Sequence, residues 1–288
     1  MTELAIPANL AAAALEEGRE AWLARLPAHV ARFAKLWSLD VGAPFQPGGQ
    51  TAWVAPARGP AGRAVVLKIG WPHPEAAQEA DGLAAWGGRG AVVLHASDVV
   101  DDAVALLLEH CVPATALAER PEAEQDPVIA ALLLRLWISP GHRRFRPLAE
   151  MCAQWADAFE AKLAQGRARI DPGLARDGIA LFRALPASAS REALLCTDLH
   201  AGNVLAAERE PWLVIDPKPF VGDPTYDLLQ HMLNCDERLH ADPLGFARKL
   251  AELVGVDPER LRLWLFARCV QESPDYPGLA DVARAVAP

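Results

Sequence analysis

Two aspartates and an asparagine stand close together in a part of the sequence that has neither helical nor strand periodicity. Residues 196–203 read CTDLHAGN, so Asp198 and Asn203 fit the spacing Asp-x-x-x-x-Asn. Asp216 comes 13 residues after Asn203, at the end of an apolar run. Carboxylate and carboxamide oxygens are ligands that Mg²⁺ accepts, and a carboxylate can also take a proton from a hydroxyl group. The alternative is a polar loop, since Asp, Asn and Gly are common turn formers.

A predicted hairpin favours a site over a simple loop. The runs VLAA and PWLVI flank a turn at Glu208–Glu210, and pairing of the two strands would return Asp216 to the neighbourhood of Asn203. Asn203 and Asp216 are therefore the predicted Mg²⁺ ligands, with phosphates and water in the remaining positions. Asp198 is the predicted base that orients an attacking hydroxyl and accepts its proton. Kinases divide the work among an Asp, an Asn and a second Asp in this way.

A lysine and a glutamate upstream could hold a nucleotide. Lys68 lies in the predicted strand AVVLKIG, where a solvated strand lysine is the alternative. Glu79 lies four residues before Leu83 and seven before Trp86, which puts it on the apolar face of a helix predicted near 74–86. A buried carboxylate needs a partner, and Lys68 is the natural candidate. The pair would hold the lysine against the α- and β-phosphates of ATP.

The turn QPGGQTAW precedes this strand and could cover the phosphates, because Gly48 and Gly49 allow close approach of the backbone. The pattern around it predicts an α+β region. Apolar residues recur at helical spacing from Trp22 to Trp37, and Pro27 is expected in the first turn of a second helix. Strands are predicted near 50–57 and 63–69, the helix near 74–86, and two or three further strands from 91 to 110.

The pattern becomes mostly helical after a short connector near Cys111–Pro113. Apolar residues at helical spacing predict helices before and after the hairpin. We therefore expect an N-terminal lobe over residues 1–112 and a helical C-terminal lobe over residues 113–288. The predicted helical stretches are DPVIAALLLRLW, RPLAEMCAQWADAFEAKLAQ, GLARDGIALFRAL, YDLLQHMLN, DPLGFARKLAELVG and DPERLRLWLFARCVQE.

Composition excludes several classes of protein. The 288 residues carry a formal net charge of −9, which argues against nucleic acid or an anionic membrane as the main partner. The five cysteines show no CxxC or Cys/His spacing, so we expect free thiols and no zinc site. No signal peptide and no apolar run of about 20 residues is evident, and the expected location is the cytoplasm.

Taken in order, these residues resemble the aminoglycoside phosphotransferase family, which has a bilobal protein-kinase-like fold. The resemblance covers nearly the whole chain, from GGQTAWV through TDLHAGNVL to RLRLWLFAR. The run IDPKPFVGDPTYD is similar to the streptomycin 6-phosphotransferase and hydroxyurea phosphotransferase branch. The resemblance implies an N-lobe with an antiparallel sheet and one inserted helix, and a mostly helical C-lobe.

The resemblance also implies a role for each matching residue. Asp198 would be the catalytic base, Asn203 and Asp216 would bind Mg²⁺, and Lys68 with Glu79 would position ATP. The backbone near Glu109 and Cys111 would meet the adenine, and Asp227 would brace the catalytic loop. Two departures bear on the loop's geometry: Cys196-Thr197 replaces the family's usual His-Gly, and Ala201 stands where Pro is common. His200 is expected to brace the loop or pack, not to bind a metal.

The acceptor is left open by these residues. Streptomycin or a related aminoglycoside is favoured, with hydroxyurea or a housekeeping metabolite as the alternative. A nucleotide-binding protein without turnover and a metal-dependent hydrolase are further alternatives, although the latter leaves Lys68 and Glu79 unexplained. Solvated surface is the better explanation for each acidic residue of the helical lobe taken singly, but a set of them could line a pocket for guanidinium groups. The candidates are Asp236, Glu237, Glu272 and Asp275.

Overall fold

The computed structural model describes residues 4–74, 77–167 and 169–288. Its chain divides into two compact units, Met1–Ala114 and Thr115–Pro288. This division lies two residues beyond the boundary expected from the sequence.

The first unit is built on an antiparallel sheet that has five strands in the described part of the chain, in the order β1-β2-β3-β5-β4. Helices α1 and α2 precede the sheet; the pattern from Trp22 to Trp37 predicted a helical region at α2, but α1 was not predicted. Helix α3 is inserted between β3 and β4, as the pattern predicted. The elements are α1 (Ala8–Glu16), α2 (Glu20–Leu36), β1 (Asp40–Val41), β2 (Ala52–Arg58), β3 (Ala64–Gly70), α3 (Glu79–Trp86), β4 (Leu94–Val100) and β5 (Ala103–Glu109).

The alternation of side chains in β2 and β3 divides the two faces of the sheet. Trp53, Leu67 and Ile69 are fully buried and form one core with Leu26 and Phe33 of α2. Successive side chains of a strand point to opposite faces, so the residue between Leu67 and Ile69 must point away from this core. That residue is Lys68.

The prediction for Pro27 was wrong. Helix α2 runs without interruption from Glu20 to Leu36, and Pro27 lies in its interior instead of starting a second helix. Proline removes one backbone hydrogen bond within a helix. The buried stripe of Leu26, Val30 and Phe33 continues across Pro27, and its burial offsets that loss.

The predicted start of α3 also differs. The helix begins at Glu79, whereas the sequence suggested a start near Pro74; residues 75 and 76 of that stretch lie outside the described residues. Gly87 ends the helix with a φ of 56°, a left-handed conformation that glycine commonly supplies after the last turn of a helix.

The second unit is mostly helical, with two short antiparallel ribbons inserted between α6 and α7. Helix α10 lies against α5, α6, α9 and α11 and supplies much of the core of this unit. The elements are α4 (Glu122–Leu136), α5 (Leu148–Ala164), α6 (Pro172–Ala184), β6 (Ala193–Leu195), β7 (Val204–Ala206), β8 (Trp212–Val214), β9 (Phe220–Gly222), α7 (Leu229–Leu233), α8 (Asp236–Ala241), α9 (Pro243–Val254), α10 (Pro258–Glu272) and α11 (Leu279–Val286).

The two ribbons are nested. Strand β7 pairs with β8, and β6 pairs with β9 on either side of them in the chain. The segments 196–203 and 215–219, which connect the ribbons, are thereby brought opposite each other. The first segment carries Asp198 and Asn203, and the second carries Asp216.

Candidate active site

Asp198 is held within this connection by a neighbour from each segment. The Asn203 side chain donates from Nδ2 to the Asp198 carbonyl oxygen at 3.1 Å, and Nδ2 lies 3.5 Å from Asp198 Oδ2. Lys218 Nζ lies 3.2 Å from the same Oδ2. The Asp198 side chain is 14% exposed, so its carboxylate is largely enclosed but still reachable from solvent.

Asn203 and Asp216 are joined through the β7–β8 ribbon. The amide of Ile215 donates to the carbonyl oxygen of Asn203 at 2.9 Å, which places Asp216 beside Asn203 as the sequence predicted. Asp216 has a φ of +52°, in the left-handed region that non-glycine residues rarely adopt. Such a conformation persists only where the surrounding contacts impose it.

The donor set fits Mg²⁺. Because Nδ2 of Asn203 is directed at Asp198, the carboxamide oxygen is the atom that remains for a cation. With the carboxylate of Asp216 it provides two hard oxygen ligands, and Mg²⁺ commonly uses one or two protein ligands together with phosphates and water. Among the described residues, no group of three or more His, Cys, Asp or Glu side chains is arranged to hold a metal ion.

Asp227 fixes the backbone just before Asp198. Its buried carboxylate accepts hydrogen bonds from the amides of Cys196 at 3.0 Å and Thr197 at 2.6 Å, and from Trp137 Nε1 at 3.0 Å. Burial raises the pKa of Asp227 to about 6, while these hydrogen bonds act in the opposite direction. The contacts agree with the bracing role that the resemblance implied for Asp227.

Thr197 occupies a backbone conformation that explains why glycine is usual there. Its φ is +52°, which is unfavourable for a β-branched residue. Its hydroxyl donates to the carbonyl oxygen of Lys218 at 2.5 Å, and its amide is bound by Asp227. The side chain of Cys196 is fully buried, and burial raises the pKa of its thiol well above the usual value. Cys196 is therefore a packing residue.

His200 braces the loop. Its Nδ1 accepts a hydrogen bond from the amide of Gly202 at 3.2 Å, and burial lowers the pKa of the imidazole. A neutral ring is consistent with this acceptor role.

All five cysteines are free and buried, as expected.

In the first unit, the predicted pair of Lys68 and Glu79 is formed. Lys68 Nζ lies 2.8 Å from Oε1 and 2.7 Å from Oε2 of Glu79. The Glu79 side chain is 4% exposed and that of Lys68 is 14% exposed. Lys68 points away from the core that contains α2, and Glu79 is the first residue of α3. The pair therefore links the opposite face of the sheet to the inserted helix.

Gly48 and Gly49 lie between β1 and β2, in the turn of a hairpin whose first strand the sequence did not reveal. Gly48 has a φ of +82°, and a Cβ there would lie 2.4 Å from Cβ of Pro7, so glycine is required on two grounds. At the other end of the sheet, Glu109 closes β5, and its Oε2 accepts the amide of Val93 at 2.9 Å.

Cys111 follows Glu109 by two residues and is 4% exposed. The residue is thus enclosed; the adenine contact expected of the backbone near Glu109 and Cys111 stays a prediction.

Two of the acidic residues proposed for an acceptor pocket are engaged elsewhere. Glu272 Oε1 lies 2.5 Å from Nη1 of the buried Arg268, and Asp275 pairs with Lys162. The Asp236 side chain is 79% exposed, with a neighbouring contact to His240 at 3.3 Å. Glu237 is also exposed. A guanidinium group would meet exposed carboxylates at Asp236 and Glu237. At Glu272 and Asp275 it would have to displace the side chains of Arg268 and Lys162.

Sequence reasoning missed Lys218 and Asp223. Asp223 is buried and its Oδ2 accepts from Arg260 Nε at 2.6 Å and Trp264 Nε1 at 2.5 Å, which ties the segment after β9 to α10. Both residues lie in the run IDPKPFVGDPTYD, where their charge was the signal. A lysine two residues after a candidate metal ligand is a possible partner for the Asp198 carboxylate.

The family comparison agrees with this arrangement. A model of the aminoglycoside/hydroxyurea antibiotic resistance kinase family matches residues 41–274. The chain belongs to this family.

Curated relatives match over most of their length. A hydroxyurea phosphotransferase of Kitasatospora aureofaciens is 37% identical over 277 residues, covering 92% of this chain and 78% of the relative. A streptomycin 6-kinase of Streptomyces griseus is 34% identical over 267 residues, covering 90% of this chain and 85% of the relative. Membership of the kinase family identifies the chain as a phosphotransferase that acts on a hydroxyl group.

Solved structures show the same fold. The aminoglycoside phosphotransferase APH(3'')-Id of Streptomyces rimosus, solved with ADP and streptomycin, superposes with a TM-score of 0.54 at 16% identity, covering 87% of this chain and 98% of the other. The kinase-like α+β fold predicted from the sequence is confirmed. Among the described residues, no helix combines the length and the apolar character needed to cross a membrane.

Proposed function

We propose that the protein transfers the γ-phosphate of ATP to a hydroxyl group of an aminoglycoside, and that streptomycin is its acceptor. The observation that carries this proposal is the similarity to the streptomycin 6-kinase of Streptomyces griseus, 34% identical over 90% of the chain. The solved structure from Streptomyces rimosus, which holds ADP and streptomycin, supports an adenine nucleotide and an aminoglycoside acceptor.

In this proposal Asp198 is the base. Its carboxylate orients the acceptor hydroxyl and takes its proton as the oxygen attacks phosphorus. Asn203 and Asp216 would hold Mg²⁺ through their carboxamide and carboxylate oxygens. When bound, the cation neutralises charge on the phosphates. The chain's own contribution is to hold Asp198 and its two neighbours in place through the β7–β8 ribbon and Asp227.

The nucleotide is assigned to the first unit. Lys68 would contact the α- and β-phosphates, and the two contacts of Nζ with the Glu79 carboxylate would fix the direction of its side chain. Gly48 and Gly49 would let the β1–β2 turn approach the phosphates. The backbone near Glu109 and Cys111 would form hydrogen bonds with the adenine, with its carbonyl oxygens as acceptors and its amides as donors.

Hydroxyurea is the second candidate acceptor. It is favoured by the hydroxyurea phosphotransferase of Kitasatospora aureofaciens, which is 37% identical over 92% of this chain. The two acceptors differ in charge and size: streptomycin carries two guanidinium groups, whereas hydroxyurea is small and neutral. A site suited to one gives the other few contacts, so their kcat/KM values should differ widely.

The test is mass-spectrometric detection of phosphorylated product after incubation with Mg²⁺-ATP and streptomycin, other aminoglycosides or hydroxyurea. We expect addition of one phosphate to streptomycin, with a kcat/KM at least about 100-fold above that for hydroxyurea, a difference of roughly 2.7 kcal/mol in transition-state binding. Product from hydroxyurea alone would replace streptomycin by the second candidate. ATP consumption without product from any of them would contradict both acceptors.

A further inference from the structure

Lys218 is tied to the loop of Asp198 at three points. Its amide donates to the carbonyl oxygen of Cys196 at 2.9 Å, and its own carbonyl oxygen accepts the Thr197 hydroxyl at 2.5 Å. Its ammonium lies 3.2 Å from Asp198 Oδ2. Three consecutive residues of one segment are therefore held by a single residue of the opposite segment.

The Thr197 contact bears on a strained backbone. With a φ of +52°, a β-branched residue is held in a conformation that costs free energy. The hydroxyl bond to Lys218 and the amide bond to Asp227 are the contacts that hold it there. A glycine would adopt this φ without cost, but it would have no hydroxyl to bind Lys218. The chain thus has a tie at residue 197 that glycine cannot supply.

The ammonium of Lys218 also orients the carboxylate. Both Lys218 Nζ and Asn203 Nδ2 approach Oδ2 of Asp198, which fixes the rotation of the carboxylate from one side. The Asp198 and Lys218 side chains are 14% and 32% exposed, so the pair is partly shielded from solvent. In such a setting the ion pair is stronger than on an open surface.

We propose that Lys218 and Thr197 form a clamp that positions Asp198, with Oδ2 held by the Lys218 ammonium and Oδ1 presented to the acceptor hydroxyl. The proposal rests on the proposed function of Asp198 and adds two positioning residues to it. A clamp of this kind acts on the step in which the hydroxyl attacks. Its loss should lower kcat and leave the KM for ATP nearly unchanged.

The kinetic test compares Lys218→Met with Lys218→Arg. We expect Lys218→Met to lower kcat by about 30- to 100-fold, which is no more than the roughly 10²- to 10⁴-fold that a base itself contributes, because Asp198 remains in place but is less well oriented. The KM for ATP should change by less than about 3-fold. Lys218→Arg keeps the charge and should recover at least about a tenth of the wild-type kcat. Arg183→Met is the matched control, because it removes a cation from the surface carboxylates Asp157 and Glu160, and it should keep the wild-type kcat.

The hydroxyl is tested separately at Thr197. Thr197→Val keeps the β-branched shape and removes only the bond to Lys218, whereas Thr197→Ser keeps the hydroxyl. We expect kcat to fall about 10-fold for Thr197→Val, which corresponds to about 1.4 kcal/mol and lies within the range of one net hydrogen bond. For Thr197→Ser, which keeps the hydroxyl, we expect a fall of less than about 3-fold. Equal kcat values for the two variants would contradict a role for the hydroxyl.

A measurement without an acceptor keeps this proposal apart from the proposed function. Hydrogen exchange of the amides in the segment 194–200 should become faster in Lys218→Met and Thr197→Val, and stay at the wild-type rate in Arg183→Met. Unchanged exchange in both clamp variants would overturn the clamp even if the wild-type enzyme phosphorylates streptomycin. Faster exchange with no product from any acceptor would support the clamp and refute the proposed substrate alone.

Discussion

The buried carboxylate of Glu79 requires a positively charged partner, and Lys68 supplies it. Glu79 is enclosed at the first turn of α3, and its two oxygens contact the same ammonium at 2.8 and 2.7 Å. A charged pair in this position is costly to break, because the remaining charge stays buried without compensation. In the proposed function the pair matters for ATP, since it determines where the ammonium of Lys68 points.

We predict that Glu79→Gln raises the KM for ATP by about 10-fold or more, because a charge-assisted bond of about 1.5–3 kcal/mol is lost. The measurement is the dependence of the initial rate on ATP concentration. Asp81→Asn is the matched control, since it removes a second acidic side chain of the same first turn. An unchanged KM for ATP in Glu79→Gln would show that the pair with Glu79 does not position Lys68 for the nucleotide.

The packing between helices determines the positions of the elements in the second unit. Helix α6 packs tightly against α10 at Gly178, where an added Cβ would lie 2.5 Å from Cγ2 of Val270. Alanine is favoured over glycine in a helix by about 1 kcal/mol, but a forced contact in a packed core costs about 1–3 kcal/mol. The cost of the steric contact with Val270 should therefore exceed the gain in helix propensity.

We predict that Gly178→Ala lowers the free energy of unfolding by about 1–2 kcal/mol, and that Val270→Ala in the same chain restores part of this loss. The measurement is urea-induced unfolding of the single variants and the double variant. Gain of stability in Gly178→Ala would mean that α6 and α10 can separate without cost.

A second junction joins four helices through one carboxylate. Asp126 of α4 is fully buried and contacts His231 at 3.0 Å, Arg238 at 2.7 Å and Lys249 at 2.8 Å. Burial raises the pKa of Asp126, but the hydrogen bonds from these three residues outweigh burial and hold it far below its usual value. The ionised carboxylate therefore stabilises the folded state.

Asp126→Asn should lower the free energy of unfolding by about 3 kcal/mol at pH 7. The depressed pKa gives the sign: the stabilisation is present above the unfolded-state pKa of about 4 and is lost as the pH falls below it, because the unfolded chain then binds the proton first. Unfolding at pH 7, 5 and 3.5 should show the difference between wild type and variant narrowing only below about pH 4. A constant difference at all three pH values would contradict an ionised Asp126.

The sequence predicted the elements that have a local signal and missed those that depend on distant contacts. The apolar face of α3 pointed to Glu79, and the turn between VLAA and PWLVI pointed to Asp216 beside Asn203. Strand β1 has two residues and is defined only by its pairing with β2, so no periodicity could reveal it. The unbroken α2 likewise depends on burial across Pro27.

The same limit applies at the site. The role of Thr197 depends on a positive φ, and that of Lys218 depends on the opposition of two segments 20 residues apart. Neither is visible as a spacing. Conversely, Glu272 and Asp275 looked available in the sequence because their partners, Arg268 and Lys162, are fixed only by the fold.

For the whole molecule, the net charge of −9 has a consequence for a cationic acceptor. An acidic protein attracts a cation during encounter, and salt screens this attraction over about 10 Å at 0.1 M. We predict that kcat/KM for streptomycin falls severalfold between 20 and 300 mM salt, whereas any rate with neutral hydroxyurea stays constant. The measurement is kcat/KM for both acceptors at fixed Mg²⁺-ATP. A salt-independent value for streptomycin would show that charge does not guide its binding.

The central claim is that Asp198 is the base in a transfer from Mg²⁺-ATP, and one comparison tests it directly. Two quantities are measured in wild type, Asp198→Ala and Asp216→Ala. They are the turnover with the acceptor that the wild-type enzyme phosphorylates, and the Kd for ATP. We predict that Asp198→Ala loses turnover by at least about 1000-fold while the Kd for ATP stays within about 3-fold, and that Asp216→Ala also weakens Mg²⁺-ATP binding. Near-normal turnover in Asp198→Ala would contradict the assignment of the base.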